Sequence, residues 1–302
     1  MIIHEPVSIV MCTYNGATYL QEQLDTILQQ SYSNFELIIS DDNSKDETWD
    51  LLEKNALLDK RIKLFKNEVN IGYNKNFEKA IKAASYQYIC IADQDDIWIP
   101  QKVEKLLGLV LKENIVLAYH NIDHFTSTAN FSKTINTRIN IISGDDPSYN
   151  IFQNSISGHT ILFNKKILDN EVSFPTNIYY DWWLSVLALT KGSIAGTQEI
   201  LSYHRIHNNN ASAKKGNNKF LSESERQEKL IAYQYFLTMK GIKEVNIKIL
   251  KRLIFFYSDL KHFNFSLFAF LIANNKKFFY YKKGGFLYFN RIKACYRMSK
   301  II

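Results

Sequence analysis

Five short apolar runs alternate with segments of helical periodicity over the first 120 residues, and no other feature restricts the fold as much. The runs are VSIVMCTYN (7–15), FELIIS (35–40), RIKLF (61–65), YICIA (88–92) and IVLAYH (115–120). They carry β-branched residues and are short, which suits buried strands. After the first, Leu20, Leu24, Ile27 and Leu28 recur at the spacing of one helix face. After the second, Asn43, Ser44 and Asp46 read as turn and capping residues for a helix through Trp49, Leu51 and Leu52. Residues 74–85 place Phe77, Ala80, Ile81 and Ala84 on one helical face, and a further helix follows Pro100. This alternation predicts an α/β fold with a mostly parallel, doubly wound central sheet flanked by helices. Ligands of such sheets bind beyond the carboxyl ends of the strands.

Three polar clusters fall at those ends. Thr13-Tyr14-Asn15 closes the first strand, Asp41-Asp42 the second, and the fourth runs into IADQDDIWIP with Asp93, Asp95 and Asp96. Clustered carboxylates repel, and burying them is costly unless something neutralises them. A hard divalent cation, Mg2+ or Mn2+, takes one or two carboxylates together with phosphate oxygens. A solvated acidic turn is the alternative. Asp41-Asp42 can accept hydrogen bonds from a base or from ribose hydroxyls, or cap the next helix. Thr13-Tyr14-Asn15 can contact a base, or simply turn the chain.

Further along, residues 121–150 read as a loop-rich insertion, and GHTILFNKKIL (158–168) as a strand leading into a helix. YYDWWLSVLALTKG (179–192) reads as a helix that starts near Asp181 and stops at Gly192. Asp181 is placed either as a cap or, desolvated by aromatics, as a general base. Trp182 and Trp183 are adjacent, so they cannot face one way on a helix, and one is expected in the core. EILSYHRIHNNN (199–210) is a strand leaving into a polar loop, where Arg205 suits a diphosphate and a neutral histidine suits a metal. His159, after Gly158, is a further candidate. AKKGNNK (213–219) reads as a linker.

The three cysteines, Cys12, Cys90 and Cys295, are too far apart for a metal or disulfide pattern and read as reduced thiols. The start, MIIHEPVSIV, has no leader pattern, and no apolar stretch is long enough to span a bilayer. Residues 251–302 hold eleven Lys/Arg and one acid, Asp259, a net +10 against +7 for the whole chain. Mixed with Phe and Tyr, these charges predict an amphipathic or interfacial region drawn to anionic lipid. Helices packed on the core with solvated lysines are the alternative, and a nucleic-acid partner is not expected.

The ordered set VSIVMCTYNGATYLQEQLDTILQQSYSNFELIISDDNSKDET, NIGYNKNFEKAI, YICIADQDDIWIPQKVEKL, SGHTILFNKKIL and YYDWWLSVLALTKGSIAGTQEILSYHRIHNNN spans roughly residues 5–210. It resembles family 2 glycosyltransferases of the GT-A fold, and within them the bacterial rhamnosyltransferase-like enzymes of surface-polysaccharide pathways. The resemblance implies a GT-A domain over residues 1–212 and a helical extension over 213–302. It implies a donor site around Thr13, Tyr14, Asn15, Asp41, Asp42, Asn70, Gly72 and Asn76, with Asp93, Lys102 and Arg205 toward the phosphates. Asp95, Asp96 and His207 would hold Mn2+ or Mg2+, Asp181 would be the catalytic base, and His159, Trp182 and Trp183 would meet the acceptor. Tyr180 stands where the family often has Glu. The implied partners are a UDP- or dTDP-sugar donor and a glycan or lipid-linked acceptor. The implied location is cytoplasmic, at the inner face of the membrane. A sugar-nucleotidyltransferase would want a Gly-rich basic loop where this chain has TYNGATYL. A non-catalytic nucleotide-sugar-binding subunit is the other reading.

Overall fold

The computed structural model describes residues 4–126, 140–169, 173–207, 220–282 and 287–301. The chain opens with β1 (Val7–Thr13), α1 (Ala17–Leu28), β2 (Phe35–Asp41), α2 (Thr48–Leu58), β3 (Ile62–Lys66), α3 (Tyr73–Ala83) and β4 (Tyr88–Ala92). These four strands pair in parallel in the order β3-β2-β1-β4. Both faces are covered, which is why the strands read as continuous apolar runs. Val7, Ile9 and Met11 pack with Leu20, Leu24 and Ile27 of α1, whereas Val10 and Ile38 pack with Phe77 and Ile81 of α3. Each such aliphatic side chain, fully buried, stabilises the fold by about 1.5–3 kcal/mol.

The second half of the sheet is mixed. It comprises β5 (Ile97–Trp98), then α4 (Lys102–Val110), β6 (Ile115–Phe125), β7 (Ile161–Asn164), α5 (Tyr180–Lys191) and β8 (Ser193–Arg205). β7 lies antiparallel between β4 and β6, β8 runs parallel to β6, and the two-residue β5 closes the edge antiparallel to β8. That last pairing, Ile97 with Tyr203 and Trp98 with Ser202, fixes the site, because it draws residues 204–207 against the acids of 93–96.

Three local expectations change. Residues 121–125, expected in a loop-rich insertion, belong to β6, paired with β8 as far as Arg205. The helix expected after β7 is a three-residue 3-10 turn, Lys165–Ile167, and β8 starts at Ser193 instead of residue 199. The expected linker at 213–219 and the domain boundary at 212 lie outside the described residues.

The C-terminal region, basic from residue 251 on, folds as α6 (Glu223–Thr238), α7 (Glu244–Ser258), α8 (Phe265–Ala273), α9 (Asn275–Phe278) and α10 (Leu287–Met298). Ser222 and Glu225 form a capping box at the start of α6. Tyr233, Phe236, Leu253, Tyr257, Phe270 and Phe278 join the same core as Phe77 and Trp183. These helices therefore pack on the face of the sheet that α3 and α5 cover. Among the described residues no helix is long and apolar enough to cross a membrane.

Candidate active site

The carboxyl ends of β1, β2 and β4 converge as the alternation predicts, but several polar residues there turn inward. Thr13 and Asp41 face each other in register, and the Thr13 hydroxyl donates to Asp41 Oδ2 at 2.9 Å. The Ser44 amide and hydroxyl complete the shell of Asp41, which is fully buried. Asp42 accepts from Asn67 Nδ2 and from the amides of Ile71 and Gly72, each at 2.8–2.9 Å. Asn76 is buried between the Ser40 backbone and the Asn67 carboxamide. Asp42 thus holds the loop carrying Asn70 and Gly72, while Asp41 and Asn76 are buried among partners of the protein's own. Gly72 adopts φ 82°, the left-handed region that glycine enters without strain, and it starts α3. Tyr14, Asn15 and Asn70 stay exposed. Gln94 grips the Tyr14 peptide, accepting from its amide at 2.9 Å and donating to its carbonyl at 3.3 Å, so the first rim loop is tied to the acidic one.

The acidic loop meets His204 of β8, His207 just beyond that strand and His159 of the 3-10 turn Gly158–Thr160. Asp96 Oδ1 lies 3.0 Å from His204 Nδ1, Asp93 Oδ2 lies 3.2 Å from His159 Nδ1, and Asp95 Oδ2 lies 2.9 Å from His207 Nε2. The His159 and His204 rings stack at 5.1 Å. Donor atoms of Asp93, Asp96, His159 and His204 all fall within 4.8 Å of one another. Asp96 Oδ2 and His159 Nε2 are buried without a hydrogen-bond partner, and an unsatisfied buried polar atom costs about 1–3 kcal/mol. Spare buried donors in a mixed carboxylate–imidazole set fit a divalent cation, and the imidazoles favour Mn2+ over Mg2+.

The charges of the cluster are strongly interdependent. Burial pushes Asp95 up to about 6, and the neighbouring Asp96 and Asp93 add to the rise. Burial also opposes ionisation of Asp96, but His159 and His204 outweigh it and hold its carboxyl far below the usual range. Burial disfavours the His204 cation, yet the Asp96 hydrogen bond and the surrounding acids raise it to about 9.

Five residues expected to contact ligands are placed differently from that expectation. Lys102 is fully buried; its Nζ donates to the His159 carbonyl at 2.6 Å and lies 3.6 Å from the centre of the Trp98 ring, so it braces the His159 turn from behind. Arg205 is buried between the Tyr19 and Phe125 rings; its Nε donates to the Asp95 carbonyl at 3.0 Å and its terminal nitrogen pairs with Glu22. Trp182 and Trp183 are both core residues. Trp182 donates from Nε1 to the Asn150 carbonyl and packs on Tyr233 and Phe236 of α6, while Trp183 packs on Phe174. His159 sits in the donor cluster, 5% exposed, instead of facing an acceptor.

Asp181 stands in the first turn of α5. Its Oδ1 accepts from Asn154 Nδ2 and from the Trp182 amide at 2.8 Å, and its Oδ2 from the Gly158 amide at 3.0 Å. Burial raises its pKa to about 6 against these three donors, with Asp93 close enough to add to the rise. A carboxylate held in one orientation, with a pKa near neutrality and Asp93 of the acidic rim nearby, is suited to remove a proton. Asn154, Gly158 and Gln94 were not singled out from the sequence. Their roles depend on a loop folding back over a distant helix, and no local spacing signals that. His204 shares one short segment with His207, and only the β5–β8 pairing shows that it meets Asp96.

The Glycosyl transferase family 2 model matches residues 8–171. WfgD of Escherichia coli, a UDP-Glc:alpha-D-GlcNAc-diphosphoundecaprenol beta-1,3-glucosyltransferase, is 32% identical over 214 residues, covering 69% of this chain and 80% of that protein. The dTDP-rhamnosyl transferase RfbG of Shigella flexneri is 30% identical over 198 residues, 60% of this chain and 65% of its own. Among solved structures, S. aureus TarS 1–349 in complex with UDP-GlcNAc has a TM-score of 0.66 over 90% of this chain and 75% of that one, at 16% identity, a likeness of fold.

Proposed function

The chain belongs to glycosyl transferase family 2, and on that premise we propose that it moves a sugar from a UDP- or dTDP-linked donor to a hydroxyl of a glycan or lipid-linked acceptor in surface-polysaccharide synthesis. The carrying observation is Asp181, oriented by three hydrogen bonds and raised to about 6 beside the acidic rim. The Asp181 carboxylate takes the proton of the acceptor hydroxyl, and that oxygen attacks the anomeric carbon. The bond from that carbon to the diphosphate oxygen breaks in the same step, and its electron pair leaves with the nucleoside diphosphate. A single displacement inverts the anomeric configuration. Tyr14, Asn15, Asn70 and Gly72 face the donor, and Gln94 keeps the loop of Tyr14 and Asn15 in register with the acids.

Asp95 and His207 would hold a divalent cation, Mn2+ in preference to Mg2+. They pair at 2.9 Å on the partly exposed side of the acidic loop, next to the still more exposed Asp93, and a cation that also binds diphosphate oxygens needs an open side. Asp96 and His159, both buried, form the wall behind them, and Asp93 and His204 complete that four-residue group. When bound, the ion supplies positive charge where the diphosphate departs.

The proposed location is the cytoplasmic face of a membrane, with the basic aromatic helices turned to anionic lipid. Phe263, Phe265 and Tyr296 are exposed beside Lys261 and Lys293, which suits an interfacial contact.

The test is nucleoside diphosphate release from UDP-, dTDP- and GDP-sugars with Mn2+, Mg2+ or EDTA. Release from one donor, stimulated by Mn2+ and lost in Asp181→Asn, supports the reading. Donor binding without turnover, unchanged by Asp181→Asn, would make the chain a non-catalytic binding subunit.

A further inference from the structure

With Trp182 and Trp183 in the core, the aromatic surface beside Asp181 is a different pair. Tyr73, the first residue of α3, is 48% exposed and stacks with the partly exposed Tyr179, ring centres 6.1 Å apart and planes 23° off parallel. Exposed tyrosines on loops usually move; these two are fastened. Asn74, buried between them, donates from Nδ2 to the carbonyls of Pro175, Thr176 and Ile178 at 3.0, 3.3 and 2.6 Å and accepts the Tyr180 amide at 3.0 Å. One carboxamide thereby joins the start of α3 to the strap leading into α5, and each ring is anchored next to it in sequence.

The platform also sits at a defined place. On one side Gly72 donates its amide to Asp42, so Tyr73 follows the donor loop directly. On the other, Tyr179 is two residues before Asp181. Burial raises the Tyr73 hydroxyl pKa, with Tyr179, Asp181 and Glu228 of α6 adding to the rise, which places those groups around it. A rigid aromatic pair between the donor loop and the base offers a flat apolar face at small entropic cost, with carboxylates at its edge as hydrogen-bond acceptors.

We propose that Tyr73 and Tyr179 form the stacking platform for the accepting sugar: a pyranose ring lies with its C–H face on the tyrosines and turns one hydroxyl toward Asp181. This rests on the transferase reading of Asp181 and adds the class of group that the acceptor presents.

The test is direct binding, read without turnover. The probe is N-acetylglucosamine α-linked to a diphosphate bearing a short alkyl chain, titrated calorimetrically into the full chain. Saturable binding by the wild type, weakened about tenfold in Tyr73→Ala and in Tyr179→Ala but kept within about twofold in Tyr73→Phe and Tyr179→Phe, is the expected pattern. Equal binding by the alanine variants, or no saturable binding by the wild type, would overturn the platform. Because Tyr73 is exposed, its variants report binding without a folding defect. Donor-sugar turnover, measured alongside, reports separately on the transferase reading.

Discussion

The Gly158 amide donates to Asp181 Oδ2 at 3.0 Å across 23 residues, and the Tyr180 hydroxyl lies only 2.0 Å from where a Cβ on Gly158 would stand. Glycine is required there by close approach. Gly158→Ala has to push Tyr180 off Phe77, on which its ring stacks at 4.3 Å, and so tilts the start of α5 that carries Asp181. The expected outcome is a stability loss of about 1–3 kcal/mol with kcat/KM reduced at least tenfold. Denaturant unfolding and steady-state kinetics on the same preparation check it; full activity in the alanine variant would mean that the contact does not position the base.

A base with a pKa of about 6 works only when ionised, so kcat/KM should fall tenfold per pH unit below that value. Asn154 donates to the ionised form and favours it. Asn154→Ala therefore raises the pKa of Asp181 and moves the acidic limb to higher pH, by up to about one unit. A pH–rate profile of the two proteins decides this. An unmoved limb would assign the titration to another group.

Much of this architecture is legible in the sequence, for identifiable reasons. Strands β1 to β4 are buried on both faces, so their apolar runs stand out, and the alternation with helices puts Asp93, Asp95 and Asp96 at a strand end. What is hidden depends on partners far along the chain. Asp41 and Asp42 look like ligands until Ser44, Asn67 and the 71–72 turn close over them. Trp182 has an exposed face until α6 covers it with Tyr233 and Phe236. Lys102 opens an amphipathic helix, where a lysine normally points to water, and only the Trp98 ring and the His159 carbonyl reveal that it is enclosed. The tyrosine platform emerges only when Asn74 ties two segments about a hundred residues apart.

The Asp95–His207 pair and the neighbouring group of Asp93, Asp96, His159 and His204 separate under mutation. Asp95→Asn and His207→Ala should weaken Mn2+ binding on the order of 100-fold and abolish metal-stimulated turnover, leaving the fold intact because both side chains are partly exposed. His204→Gln removes only a member of the neighbouring group and should cost about tenfold in Mn2+ affinity. Calorimetric titration of Mn2+ into each protein gives the comparison. The reverse order of losses would move the cation into the group formed by Asp93, Asp96, His159 and His204.

The basic helices supply the remaining expectation. Phe265 is 72% exposed, and Phe263 and Tyr296 pack together at 5.3 Å where α8 meets α10, with Lys261 and Lys293 at the surface nearby. Aromatic side chains of this kind insert at a headgroup boundary, and each basic residue near an anionic surface adds about 1 kcal/mol. Co-sedimentation with phosphatidylglycerol vesicles should therefore exceed that with phosphatidylcholine at least tenfold and weaken as salt rises. Phe263→Ser combined with Phe265→Ser should reduce binding to phosphatidylglycerol without changing thermal stability, since neither residue is in the core. Equal binding to both lipids, or none to either, would leave these lysines as an ordinary solvated face over helices whose only role is to pack on the transferase domain.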